Sequence, residues 1–413
     1  MTIITNIGRL LTLEGARKKG GRNPAPEDLS ILENAAMVVG GTGKKTKILW
    51  VGSAKEIPAA FKKGKKINAQ GRTVMPGFID SHTHLVFAGD RSQEFEMRLA
   101  GKSYQEISKA GGGIVNTMSA TRKASQKDLL SKSEERILNF LNQGVTTIEI
   151  KTGYGLDFES ELKCLKVIEA LKKISRATIC STFLGAHAVP PEFKGNKDGY
   201  VNEISYKWLP KLKKYCDFVD MFIDEGFFDK EDGKVFFNEA QKHGLKIKIH
   251  ADELKLSGGT ETAIKYSALS ADHLLMVSKN EISALKNSEV TATLLPTTAF
   301  FLDLPYAPAR QLLDSGVRVA LASDFNPGTS PTQDISIVGL LSALKMGMSM
   351  EEIIVGLTLN GAFALGLENK KGALLPGYDA DFIMFDSISP MGLFYEFGQR
   401  PQNLRVFTSG SFL

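Results

Sequence analysis

Cysteine is scarce: three residues, Cys164, Cys180 and Cys216, lie far apart in 413. An odd, scattered count offers no disulfide framework and no Cys-based metal motif, and it points to a reducing, cytoplasmic setting. The opening stretch MTIITNIGRLLTLEGARKKGG has no basic start leading into an apolar run and a small-residue cleavage site. No apolar run approaches the ~18 residues of a spanning helix. The protein is therefore expected to be neither secreted nor membrane-anchored. Long blocks of one charge are also missing. The net charge is +5, and basic residues come in scattered groups such as KKGKK, Lys62 to Lys66. These read as solvated surface and argue against nucleic-acid binding. Internal repeats and low-complexity segments are absent. What remains, 43% apolar and 23% charged residues, is ordinary for a soluble globular protein.

The organisation changes twice along the chain. Residues 1–75 read as short strands with turns, including a hairpin in AAMVVGGTGKKTKILWVGS. Residues 76–368 alternate strand and helix. The strand candidates are GFIDSHTHL, VTTIEIKTG, ATICSTFLGAH, DFVDMFIDEG, LKIKIHADE, ALSADHLL, EVTATLLPT and VRVALASDF. Between them, Phe158, Leu162, Leu165, Ile168 and Leu171 recur at helical spacing. Gly144 suits a helix C-cap. Eight alternations predict an α/β fold, a (β/α)8 TIM-like barrel. Residues 369–413 return to strands, in GYDADFIMFD and NLRVFTSGSFL. Both ends of the chain are expected to form one small β-sandwich domain.

Histidine is as sparingly used as cysteine, with six in the chain, yet His82 and His84 sit one residue apart in PGFIDSHTHLVFAG. Residues two apart in a strand share a face, so both imidazoles, and Asp80 with them, should project together. An isolated His-x-His can equally be two satisfied core histidines. His187, His250 and His273, however, fall at or just past the C-terminal ends of other predicted strands, where barrel enzymes build their sites. His243 sits near a helix end, where a cation complements the dipole, and receives no catalytic role. Asp324 closes the last strand. Three imidazoles and a carboxylate, His82, His84, His250 and Asp324, suit one divalent zinc or iron ion and leave room for water.

With DSHTH, HADE, SADH and ASDFNPG in this order, the chain resembles the amidohydrolase superfamily. VFAGDRSQEFEMRLAGKSYQEI, KAGGGIVNTMSATR, EIKTGYGLD, FLGAHAVPPEF and SDFNPGTSP are similar to the imidazolonepropionase family within it. Some superfamily members bridge two metals through a modified lysine on strand four; DFVDMFIDEG has none, which favours a one-metal site.

The resemblance implies hydrolysis of a cyclic amide C–N bond in a small-molecule substrate, 4-imidazolone-5-propanoate, to give N-formimidoyl-L-glutamate. His273 and Asp324 would orient water or take its proton, and Glu253 would carry a proton to the ring nitrogen. Glu253 could instead be a glutamate in a helix's first turn. Arg91 is the expected holder of the propionate, with Tyr154 and Tyr104 as hydroxyl donors. His187 would meet the ring, and Asn326, Gly328 and Thr329 would offer polar groups. Lys109 to Ile114, KAGGGI, lacks the phosphate-loop spacing and reads as a mobile lid or a plain connection. A homodimer is the default assembly.

Strand parity carries one more expectation. If His250 faces the barrel interior, so does Lys248. Glu149 and Lys151 then share the inner face of strand two while Ile148 and Ile150 pack outward. Glu149 should pair with Lys248 or Lys151, because an unpaired interior charge is costly. Two rival functions are another one-metal amidohydrolase, such as a nucleobase deaminase, and a non-catalytic barrel scaffold.

Overall fold

The computed structural model describes residues 1–102, 106, 112–386, 389–396, 398 and 403–413. Tyr104 and the Lys109–Gly111 part of the glycine-rich segment lie outside the described residues.

Eight parallel strands follow one another in sheet order as they do in sequence. Strands one to eight are Phe78–Asp80, Val145–Lys151, Thr178–Ala186, Phe218–Ile223, Lys246–Ala251, Ser270–His273, Thr291–Leu294 and Val319–Leu321. All eight strand candidates are present. Their apolar residues are buried on both faces, as parallel strands enclosed by helices require. The helix Phe158–Ile174 follows strand two, capped by Asp157, whose side chain accepts from Ser160 N. Its Leu165, Ile168 and Leu171 are fully buried. Gly144 takes φ +91° after the helix Gln126–Asn142.

Strand one is shorter than expected. The ladder ends at Asp80, so His82 and His84 stand just beyond it. Side-chain chemistry replaces the missing backbone pairs. The buried Asp80 carboxylate accepts from Ser323 N at 3.1 Å and Ser323 Oγ at 2.5 Å. His84 N donates to Phe325 O at 2.8 Å, and Thr83 bridges Phe325. These contacts join strand eight to strand one and draw Asp324 toward the histidines.

The strands from both chain ends form a second, mixed sheet of eight, seven on one hydrogen-bonded path and Lys65–Asn68 branching from Thr2–Leu11. Thr2–Leu11 pairs antiparallel with Ile31–Gly40 and parallel with Lys65–Asn68 and Thr73–Pro76. The hairpin read from sequence is the pair Ile31–Gly40 and Lys47–Ser53. Phe382–Phe385 pairs antiparallel with Thr73–Pro76, the strand that leads directly into the barrel.

Candidate active site

Five imidazoles meet at the C-terminal mouth of the barrel. Ring centroids of His82 and His250 lie 4.5 Å apart, those of His84 and His187 5.0 Å, and those of His250 and His273 5.2 Å. His82, His84 and His250 each offer a ligand atom within 4.8 Å of the others', and so do His82, His273 and Asp324. Asp324 Oδ1 is 3.4 Å from His82 Nε2 and 3.5 Å from His84 Nε2. The other Asp324 oxygen accepts from Thr298 Oγ1 at 2.6 Å. Nothing in the sequence around Thr298 signals this contact.

Protonation follows from the partners. His82 Nδ1 lies 2.7 Å from Asp272 Oδ2, and a carboxylate only accepts, so Nδ1 carries the proton. Burial, with Lys151 and the neighbouring imidazoles, holds His82 well below its ordinary pKa, so the ring is neutral and Nε2 is a bare lone pair. That Nε2 is buried without a hydrogen-bond partner among the described residues. His250 Nδ1 stands 3.0 Å from Asp220 Oδ2, and its Nε2 lies 3.3 Å from His84 Nε2. Two imidazole nitrogens and a carboxylate oxygen aimed at one point, beside an orphaned buried lone pair, fit a divalent cation.

Asp272 and Asp220 were not singled out from sequence. The available signal was a charged residue inside an apolar parallel strand, as in FVDMFI, which needs a specific partner. Asp272→Ala is expected to weaken metal binding about 10- to 100-fold. Metal content after dialysis against graded chelator measures this; full retention would contradict the orienting role.

The backbone is strained where the site residues stand. His273 has φ +82° and Asp324 φ +49°. Such conformations cost roughly 1–3 kcal/mol each and persist where surroundings over-determine them. Glu253 lies in the loop after strand five, not in the first turn of a helix; the next helix begins at Gly259. Asp224 Oδ2 accepts from Leu254 N at 2.7 Å, and Asp252 collects N–H groups of Ser257, Gly258 and Thr260, so the loop is clamped on both sides. Burial, then the charges of Asp324 and Asp224, push the Glu253 carboxyl well above its usual range. Its Oε1 is 3.6 Å from His273 Nδ1.

A cavity of about 1160 Å³ joins these groups to Arg91, Tyr154, His187, Asn326, Gly328 and Thr329. Arg91 donates from Nε to Thr117 Oγ1 at 2.9 Å, while its Nη2 is buried without a hydrogen-bond partner among the described residues. His187 Nδ1 donates to Gly153 O at 3.0 Å. Burial, then His250, lowers its pKa to about 3 and leaves Nε2 an acceptor. Asn326 lines the cavity and is also bonded within its own turn. Its amide donates to Asp324 O and Thr329 Oγ1, and its carbonyl accepts from Gly328 N and Thr329 N. These residues brace one another in a turn, because Asn side chains readily bond backbone two residues on.

The parity expectation holds. Glu149, Lys151 and Lys248 are fully buried, and Lys151 Nζ lies 2.8 Å from Glu149 Oε1. Ile148 and Ile150 belong to the surrounding apolar core.

Solved structures share the whole arrangement of the chain at low identity. Atrazine chlorohydrolase TrzN from Arthrobacter aurescens, complexed with zinc, superposes with a TM-score of 0.71 at 16% identity, covering 100% of this chain and 95% of that one. An adenosine deaminase from Xanthomonas campestris with bound zinc gives 0.68 at 13%, covering 100% and 92%. These show a common fold. The Amidohydrolase family model matches residues 73–412. The imidazolonepropionase of Bdellovibrio bacteriovorus is 48% identical over 413 residues, 99% of this chain and 95% of that one. That of Clostridium tetani is 41% identical over 400 residues, 96% and 94%. A barrel with histidines and an aspartate at its mouth, matched end to end at such identity, places the chain in the imidazolonepropionase family of the amidohydrolases.

Proposed function

We propose that the protein hydrolyses 4-imidazolone-5-propanoate to N-formimidoyl-L-glutamate, a step of histidine degradation, with one divalent ion, zinc or iron, held by His82, His84, His250 and Asp324. When bound there, such an ion supplies Lewis acidity and lowers the pKa of water from 15.7 toward about 7. The chain's own groups do the rest. Asp324 takes a proton from the attacking water. His273 is neutral, because burial and then His250 hold its pKa well below the ordinary value; its N–H steadies the oxygen that gains charge at the ring carbonyl. Glu253, kept protonated, delivers its proton to the departing ring nitrogen. His187 Nε2 accepts from a ring N–H, and Tyr154 borders the same space.

The observation that carries the substrate choice is Arg91, whose buried Nη2 has no partner among the described residues in the cavity that holds the metal-facing residues. A guanidinium left so calls for a carboxylate, which the propionate provides and a nucleobase lacks. Arg91→Met is expected to raise KM for imidazolone propionate about 10- to 100-fold, since a charge-assisted hydrogen bond is worth roughly 1.5–3 kcal/mol. Steady-state assays beside a cytosine or guanine analogue, with and without chelator, test both readings. Unchanged KM, or turnover of the nucleobase alone, favours the deaminase.

Domain limits of 1–75, 76–368 and 369–413 are supported by the separation of the two sheets at Pro76–Phe78 and before Phe382. A cytoplasmic homodimer completes the proposal. All three cysteines are free and buried, which suits a reducing compartment. No helix among the described residues is long and apolar enough to cross a membrane.

A further inference from the structure

The layer of the barrel beneath the imidazoles is charged and enclosed. Glu149, Lys151, Asp220, Lys248 and Asp272 each show 0% exposure. They come from strands two, four, five and six. The Lys151 ammonium stands 2.8 Å from Glu149 Oε1, 2.8 Å from Asp220 Oδ2 and 3.8 Å from Asp272 Oδ2. Lys248 approaches only Asp272 among these carboxylates, at 3.4 Å, and its shorter contact is 2.5 Å to Ser270 Oγ. Glu149 is anchored elsewhere, by Thr83 N at 3.3 Å and by the Thr182 hydroxyl.

Two of the three carboxylates around Lys151 are those behind metal-facing rings: Asp272 behind His82 and Asp220 behind His250. One side chain on strand two therefore stands behind ligands from strands one and five. We infer that Lys151 is a positioning residue for the metal site, holding Asp220 and Asp272 against the Nδ1 edges of His250 and His82 so that both rings present Nε2 to one point. This role rests on the metal reading proposed above and extends it one layer inward.

The physical reason is the enclosure. Like charges repel strongly in a low-dielectric interior, and removing one partner of a buried ion pair leaves charge uncompensated. With no ammonium between them, Glu149, Asp220 and Asp272 would move apart or draw in water. Either change frees the imidazoles to rotate. A metal ligand's orientation is set by the group on its other nitrogen, so one cation governs two ligands.

Zinc affinity, read by competition against a chromophoric chelator, tests this on the full chain. Lys151→Met is expected to weaken zinc binding by about a hundredfold or more, because two outer partners are disturbed together. Lys248→Met, equally buried but touching one of them, should cost less than about tenfold. Lys151→Met with Glu149→Gln removes one charge of each sign, which eases folding, and should still lose the hundredfold. A folded double variant within threefold of wild type overturns the role, as does Lys248→Met matching Lys151→Met. Nitrogen-15 spectra of the wild-type histidines give an answer even if the variants do not fold. His82 and His250 must both carry the proton on Nδ1, and the opposite form at either overturns the proposal. A wild type that binds no zinc sinks the metal reading itself; zinc bound normally by wild type and by the variants sinks only the part given to Lys151.

Discussion

His82→Ala is expected to lower kcat/KM by at least about a thousandfold and to leave the purified protein largely free of metal, since Lewis acidity and an activated water supply several kcal/mol of transition-state stabilisation. His82 is the residue to change because it belongs to both groups of converging ligand atoms. Its Nε2 has no hydrogen-bond partner to lose among the described residues, so their packing does not depend on that nitrogen. The ring itself is fully buried, and its removal leaves a small cavity. Far-ultraviolet circular dichroism and thermal melting separate that cost from loss of the ion. A folded variant that keeps both its metal and its turnover would remove the basis of the hydrolase reading.

Glu253→Gln is expected to lower kcat about 10²- to 10⁴-fold, the range for a lost general acid, with metal content unchanged. The amide fills the same space but has no acidic proton. The pH dependence gives a sharper check. Burial first, then Asp324 and Asp224, raise the Glu253 pKa well above its ordinary value. The proton to be donated is therefore present below that raised value and is lost as pH rises through it. Wild-type kcat should fall on that alkaline side, and the residual activity of the variant should not. The same sign applies to stability. A carboxyl whose folded pKa is raised has its full stabilising effect below the unfolded value and loses it as pH rises. Glu253→Gln should then melt no lower than wild type once pH exceeds that raised value, as relief of a functional strain predicts. A variant as active as wild type would move the acid role to another group.

Much of the site was legible because barrel geometry translates sequence position into space. A histidine or aspartate at the end of a parallel strand must arrive at one mouth, so His82, His84, His187, His250, His273 and Asp324 could be gathered without coordinates. Strand parity likewise placed Glu149 and Lys248 indoors. Contacts between residues distant in sequence were not legible in the same way. The Asp272 carboxylate behind His82 and the Thr298 hydroxyl behind Asp324 are separated from their partners by 190 and 26 positions. The turn that occupies Asn326, Gly328 and Thr329 with one another depends on backbone angles that residue type alone leaves open.

By itself, the order of residues determined the eight-fold alternation, the strand ends that carry the chemistry and the family, because periodicity and motif spacing are local properties of the chain. Tertiary structure alone decided which nitrogen of each imidazole is bare, which carboxyl is pushed above its usual range and which lysine stands among Glu149, Asp220 and Asp272. Those outcomes depend on distances of a few ångströms across strands and on exclusion of water, and neither exists until the barrel has closed.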